Sequence, residues 1–412
     1  MKKRLLIVAF EFLPSNGASV SRIMSIYHTF IKEGWIVDVL TSSEAAYDKI
    51  QPMKVGDISQ ESYVMRTKSI DASKKLSIKG KYLGAFCIPD KRGLTWIPSS
   101  LVEAGKYLKE HKPDLIWSSS PIPSAHYVAS VIAKKSKAKW FADIRDPSSY
   151  IIGRSTESPL FAVKKIDDIV KKNADAIFFA TDGIKKLYLD GTSLDKKCFV
   201  MENGYIPMER TITERENTNS FRDGYLSIFY AGDLYDDGRD PKPIFKALSQ
   251  YLMNDSSIKI EIVFRGAGDG AKFKDYILNL NLGDNILFKE SVSFEQSIAE
   301  MNESDLLLLI QDELFNNQVP GKIYEYLATG KPVIVKSPLD SQTSEVAKKH
   351  DGTLICYSEL EIRDAIATTC ENKKNGRTSY QRDLSQHNRI LHAMKVVKMA
   401  SEKLNTEEIS NV

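Results

Sequence analysis

Val319-Pro-Gly-Lys-Ile-Tyr-Glu-Tyr-Leu-Ala-Thr-Gly-Lys-Pro-Val-Ile334 is the segment from which the organisation of the chain is read. Pro320 and Gly321 open a helix, Gly330 ends it, and Pro332 leads into a strand, the usual order of helix punctuation. On a helical wheel Ile323, Tyr324, Leu327 and Ala328 share one arc, while Lys322, Glu325 and Thr329 lie opposite. One face should therefore pack and the other stay polar. The helix N-terminus at Gly321 offers N–H groups and a partial positive charge suited to a diphosphate, and Lys322 adds a full charge. Glu325, one turn in, is placed to accept hydrogen bonds from vicinal hydroxyls such as those of a ribose. A surface helix with a Lys322–Glu325 pair, worth roughly a few tenths of a kcal/mol, satisfies the same spacing. Spacing alone does not decide between the two.

Working outward, short apolar runs rich in β-formers alternate with longer helical stretches, the pattern of parallel sheets covered by helices. In the first half strands are expected at Leu5–Phe10, Ile36–Thr41, Tyr63–Thr67, Asp114–Ser118, Lys139–Asp143, Ala176–Ala180 and Lys197–Met201. Helical stretches lie between them at Ser19–Lys32, Pro98–Glu110, Ser124–Lys135 and Pro159–Lys172. In the first of these Val20, Ile23, Met24, Tyr27 and Ile31 share a face. A second series follows at Leu226–Tyr230, Lys259–Phe264, Asn285–Lys289, Asp305–Ile310, Pro332–Val335 and Thr353–Cys356. Between the series, Pro207–Gly224 is poor in apolar residues and rich in Glu, Thr, Asn and Arg, and reads as a linker. The expectation is an α/β protein of two Rossmann-like domains, 1–207 and 208–384, whose ligands bind beyond the carboxyl ends of the strands. A C-terminal segment, 385–412, follows. Its helix, Gln386–Leu404, spaces Ile390, Met394, Val397 and Leu404 along its length and can pack back on the N-terminal domain.

A chain of 412 residues accommodates two such domains. Its 42% hydrophobic and 27% charged residues exclude disordered and fibrous classes. Cys87, Cys198, Cys356 and Cys370 form no C-x-x-C pair, which argues against a zinc knuckle or a disulfide framework and suits a reducing cytoplasm. Lys2, Lys3 and Arg4 precede an apolar run that stops at Glu11, too short for a secretory leader. No stretch approaches the ~18 apolar residues of a spanning helix. The expected location is therefore the cytoplasm. Lys74, Lys75, Lys79 and Lys81 surround Leu76, Ile78, Tyr82, Leu83 and Phe86, and Lys134, Lys135, Lys137 and Lys139 close a helix. A solvated loop and a cationic helix end explain both clusters better than an anionic membrane surface does. Nucleic-acid binding lacks any aromatic-interleaved basic stripe to support it.

Two other constellations bear on chemistry. Asp143, Arg145 and Asp146 stand beyond the end of a central strand, where a local ion-pair cluster and a functional site are both admissible; the position favours the site. His126 reads as a helix-start residue without a chemical role, and Asn203-Gly204 as a turn. Gly266-Ala-Gly-Asp-Gly-Ala271 follows a strand, and an acidic residue, Glu290, ends the next strand about twenty residues on, as a dinucleotide fingerprint requires. An NAD(P)-dependent oxidoreductase is thus a rival reading, weakened because this βα unit is the second of its domain.

The Val319–Ile334 segment resembles the donor-nucleotide helix of family-four GT-B glycosyltransferases. Asp114-Leu-Ile-Trp-Ser-Ser-Ser-Pro121, Phe141-Ala-Asp-Ile-Arg-Asp146, Ala174-Asp-Ala-Ile-Phe-Phe-Ala-Thr181 and Met201-Glu-Asn-Gly-Tyr205 are similar to further strand-end motifs of that family, in order. The resemblance implies a GT-B fold, with two Rossmann-like domains facing each other across a cleft. It also implies transfer, with retention, from a nucleotide-sugar donor to a sugar or lipid-linked saccharide acceptor, with no cofactor and no metal. Bacterial surface polysaccharide synthesis is the setting it suggests, with peripheral contact to an anionic membrane. Carried over by position, Asn16 and Gly17 match the loop that approaches the donor diphosphate, and Glu325 matches the ribose-binding Glu. Lys322 and Arg239 become the cations for the departing diphosphate, with Gly232, Gly321 and Ile323 completing the donor site. Asp143 and Arg145 fall near the reacting sugar. The chain departs from the family pattern in three places. Asn317 replaces a Glu, Asp233 rather than Arg follows Gly232, and Arg145 stands where many members have His. A GT-B sugar-nucleotide epimerase shares the fold without needing an acceptor.

Overall fold

The structure is a computed structural model that describes residues 2–410 apart from 18, 54–55, 77–83, 148–159, 190–192, 208–219, 235 and 256. The chain forms two compact units, one of Met1–Glu202 with Arg389–Val412 and one of Asn203–Asn388. Most of the expected linker, 208–219, lies outside the described residues, as does 77–83 in the basic segment. The described start of that segment is a short helix, Ala72–Lys75, capped by Asp71, and its exposed Lys74 pairs with Asp48 at 3.3 Å.

The first unit holds a seven-stranded parallel sheet of β1 (Arg4–Ala9), β2 (Ile36–Ser42), β3 (Val64–Thr67), β4 (Leu115–Ser119), β5 (Lys139–Ile144), β6 (Ala176–Phe179) and β7 (Cys198–Val200), in the order β3-β2-β1-β4-β5-β6-β7. Successive β1 residues alternate between two cores: Leu6 and Val8 pack with Trp96, Ile132 and Trp140, whereas Leu5 and Ile7 pack with Tyr27, Phe30 and Trp117. Burial on both faces is why the strand reads as a continuous apolar run. The C-terminal helix, Arg389–Ser410, packs against Val20–Lys32 within this unit. Its buried stripe is Ala393, Val396, Val397 and Ala400, while Ile390 and Met394 are exposed. Of the four apolar residues spaced along the helix, Val397 and Leu404 join the core, whereas Ile390 and Met394 do not.

The second unit repeats the plan with β8 (Tyr225–Ala231), β9 (Lys259–Arg265), β10 (Ile286–Lys289), β11 (Leu306–Ile310), β12 (Val333–Lys336) and β13 (Thr353–Cys356), in the order β10-β9-β8-β11-β12-β13. Here too Leu306, Leu308 and Ile310 enter one core, and Leu307 and Leu309 the other. Strand order reverses between β1 and β4 and again between β8 and β11. At such a reversal the neighbouring loops diverge and open a crevice at the carboxyl ends. The loops after β8 and β11 therefore frame the candidate site of the second unit, and the loops after β1 and β4 that of the first.

Candidate functional site

In the first unit the expected residues gather at the strand ends but differ in role. Asp143 is fully buried, and its carboxylate accepts hydrogen bonds from Arg22 Nε (3.0 and 3.1 Å), Arg22 Nη2 (2.7 Å) and Ser119 Oγ (2.8 Å). Arg22, 2% exposed, also donates to the carbonyls of Met201 and Glu202. This geometry makes Asp143 an anchor between β5 and the helix Val20–Lys32. Arg145 donates to Asp146 Oδ2 through Nε and Nη2 at 3.1 and 2.9 Å. Burial opposes its charge, yet Asp146, Glu11 and Asp143 raise its pKa above the ordinary arginine value. Asn16 is exposed, and its N–H donates to the Lys49 carbonyl at 3.1 Å. A Cβ at Gly17 would stand 2.2 Å from Glu11 Oε2, which Ser19 Oγ holds at 2.6 Å. The neighbour of Gly17 is thus the end of the Glu11 side chain, which a larger residue there would displace. His126 is buried, with Nδ1 2.8 Å from Ser118 Oγ, and burial pushes its pKa down to about 4 against the pull of Asp143.

The second unit places Lys322, Arg239, Glu325 and Gly232 in one neighbourhood. The helix Gly321–Ala328 begins at Pro320 without a side-chain cap. It buries Ile323, Tyr324, Tyr326 and Leu327, whereas Ala328 is exposed, so the packed arc is turned towards Tyr326 relative to the wheel. The reason is Tyr326 Oη, which accepts the Ala231 N–H at 3.1 Å and ties the helix to the end of β8. Gly232 follows with φ +113°, and a Cβ there would lie 2.1 Å from Lys322 Nζ. Lys322 Nζ also sits 4.9 Å from the Tyr230 ring centroid. Burial and then the charge of Arg239 push the Lys322 ammonium down to about 7, against the opposing influence of Glu325 and Asp233. Arg239 lies 5.7 Å from the Phe315 ring centroid, and Phe315 in turn fills the space beside Gly238, at φ +119°. Two cations brought together beside a half-buried helix N-terminus favour an anion. Asn317 and Glu325 are half-buried, and Asn203 Nδ2 donates to the Val319 carbonyl at 3.0 Å, steadying the approach to the helix.

Of the glycines in the rival dinucleotide reading, Gly266 and Gly270 lie against Ser291 and Phe288. Gly266, Gly268 and Gly270 have positive φ, and a Cβ at Gly270 would stand 2.3 Å from Phe288. The loop leads into a 3-10 turn and a helix of only six residues, Lys274–Asn279. It also follows β9, one strand removed from the reversal, where a dinucleotide would not meet a long helix N-terminus. Among the described residues there is no cluster of three or more His, Cys, Asp or Glu side chains able to hold a metal.

No family model and no curated protein sequence matches this chain. Solved structures do. Anabaena Alr3699/HepE in complex with UDP-glucose aligns with a TM-score of 0.68 at 13% identity, over 97% of this chain and 99% of that one. The lipopolysaccharide outer core galactosyltransferase WaaB aligns with a TM-score of 0.60 at 15% identity, over 97% and 99%. A putative UDP-N-acetylglucosamine 2-epimerase from Listeria monocytogenes aligns with a TM-score of 0.55 at 11% identity, over 96% and 95%. Likeness across whole chains at such low identity is likeness of fold, and the fold is GT-B type, two parallel-sheet α/β units in one chain.

Proposed function

We propose that the chain is a glycosyltransferase that moves a sugar from a nucleotide-sugar donor to an acceptor. The observation that carries this reading is Lys322 Nζ set against Gly232, within the electrostatic reach of Arg239, beside the N-terminus of Gly321–Ala328. A departing nucleoside diphosphate develops negative charge, and preorganised cations and N–H groups stabilise that charge as the glycosidic bond breaks. Glu325 holds the ribose hydroxyls, Asn317 and Ile323 line the donor site, and Lys322, Arg239 and Gly321 hold the diphosphate. Arg145 belongs to the reacting-sugar side, and the Asn16–Gly17 loop approaches the donor diphosphate. The reaction proceeds with retention and without a metal, so turnover should persist in excess EDTA; loss restored by manganese or magnesium would count against it. The acceptor is a sugar or lipid-linked saccharide of bacterial surface polysaccharide synthesis, met in the cytoplasm at the inner face of the membrane. Among the described residues no helix is long and apolar enough to cross a membrane.

Thermal-shift measurements with UDP, GDP, ADP, CDP and NADH test the donor site, since a ligand of the folded state raises apparent stability by mass action. A shift with one nucleoside diphosphate and none with NADH is expected; the reverse removes the proposal. Incubation with the matching nucleotide sugar alone separates the epimerase, which would make a new nucleotide sugar, from a transferase, which gives at most slow hydrolysis.

A further inference from the structure

We propose that Lys336, at the carboxyl end of β12, is a positioning residue that acts through Asp312 to hold the loop carrying Arg239; its bearing on catalysis rests on the donor-site reading above. Lys336 is 4% exposed, ion-paired with Asp312, and its ammonium lies 5.1 Å from the Tyr357 ring centroid. Asp312 engages the Arg239 loop twice. Its N–H donates to the Gly238 carbonyl at 3.0 Å, and its Oδ2 accepts the Asp240 N–H at 3.3 Å. These bonds bracket Arg239 on both sides along the chain. Phe315, three residues beyond Asp312, fills the space a Cβ at Gly238 would occupy and lies beneath the Arg239 guanidinium.

A strand-end lysine buried to this degree is costly unless its charge is matched, and an apolar residue would fill the position more cheaply. What the ion pair adds is direction: it fixes the Asp312 carboxylate where the Asp240 N–H reaches it. The contact runs from β12 to the loop after β11, then to the loop after β8, and so joins three neighbouring strand ends at the anion site. With the pair broken, Asp312 turns to solvent and the loop loses one of its two bonds to that residue.

Two measurements test the tether. In Lys336→Met, hydrogen exchange of the backbone amides around Asp240 should quicken by about tenfold, the amount expected from loss of one ordering contact; unchanged exchange overturns the proposal. Inorganic pyrophosphate, measured by calorimetry, should bind Lys336→Met about five- to tenfold more weakly than wild type. In an Arg239→Ala background the same substitution should change pyrophosphate binding little, because the group it positions is gone. Equal losses in both backgrounds overturn the proposal, since a merely structural lysine gives additive effects. If Lys336→Met does not fold, Asp312→Asn breaks the pair from the other side and takes its place in both measurements. Failure of wild type to bind pyrophosphate would remove the donor reading, while the exchange experiment still decides the tether.

Discussion

Two strand ends, one in each unit, arrange charge in opposite ways. At the end of β5 the Asp143 carboxylate and the Arg22 guanidinium are both buried, and each oxygen and most N–H groups are matched. At the end of β8 Lys322 lies against a glycine, and burial and then the like charge of Arg239 push its ammonium down to about 7. The first arrangement is complete without a ligand and serves to hold elements together. The second sets Lys322 against the like charge of Arg239, with Glu325 and Asp233 opposing the shift. Perturbed groups of this second kind cluster at functional sites, whereas the matched buried pair ties β5 to the helix Val20–Lys32.

The largest expected effect breaks the first arrangement. Asp143→Ala leaves Arg22 buried without its counter-charge, a change that typically costs about 3–5 kcal/mol. Urea unfolding of the first unit should register this loss. An unchanged midpoint with lost turnover would instead make Asp143 a chemical participant and dissolve the contrast.

Next in size is Glu325→Ala. Removing charge-assisted hydrogen bonds to ribose hydroxyls costs roughly 1.5–3 kcal/mol, so nucleotide affinity should fall by about one to two orders of magnitude. Melting temperature should hardly move, because Glu325 lies on the polar side of its helix. Lys322→Ala should lower kcat more than it raises KM, because its charge matters most as the bond breaks. Near-wild-type kinetics in both variants would take the helix out of the active site.

The depressed Lys322 gives the comparison a pH signature. Below pH 7 the free ammonium is already charged, so it adds no pH dependence to diphosphate binding. Above pH 7 the neutral amine must take up a proton as the anion binds and raises its pKa, and affinity falls as pH rises. The slope should approach about tenfold per pH unit until the bound-state pKa is passed. Calorimetry in buffers of different ionisation enthalpy would detect the proton uptake, and Lys322→Arg should flatten the profile. A flat wild-type profile would mean that Lys322 stays charged throughout and that the two strand ends differ less than their geometry indicates.

The smallest expected change is at Gly232. With φ +113° and Lys322 Nζ in the place of a Cβ, Gly232→Ala strains the backbone by about 1–3 kcal/mol and displaces the ammonium. Because the turn is a local feature at the end of β8, part of that cost should relax, leaving a modest loss of nucleotide affinity and a small drop in melting temperature. No loss of affinity would show that the ammonium moves freely and is not preset.

The alternation of strands and helices is legible in the sequence, because strands buried on both faces read as apolar runs whatever surrounds them. All thirteen strands among the described residues were placed within one or two residues of their observed ends. Helix Gly321–Ala328, its polar face and its bracketing by Pro320 and Gly330 were likewise legible, since proline and glycine act on their own backbone. Only the tertiary structure decided which charges meet. Nothing local to Asp143 names Arg22, and nothing near Arg239 names Asp312 or Lys336, because each pairing joins residues far apart in the chain. The turned packing face of the helix, set by Tyr326 reaching Ala231, was hidden for the same reason. Periodicity reports which side of an element is covered. It does not report what covers it, and that identity is what separates a matched buried pair from a lysine set against a second cation.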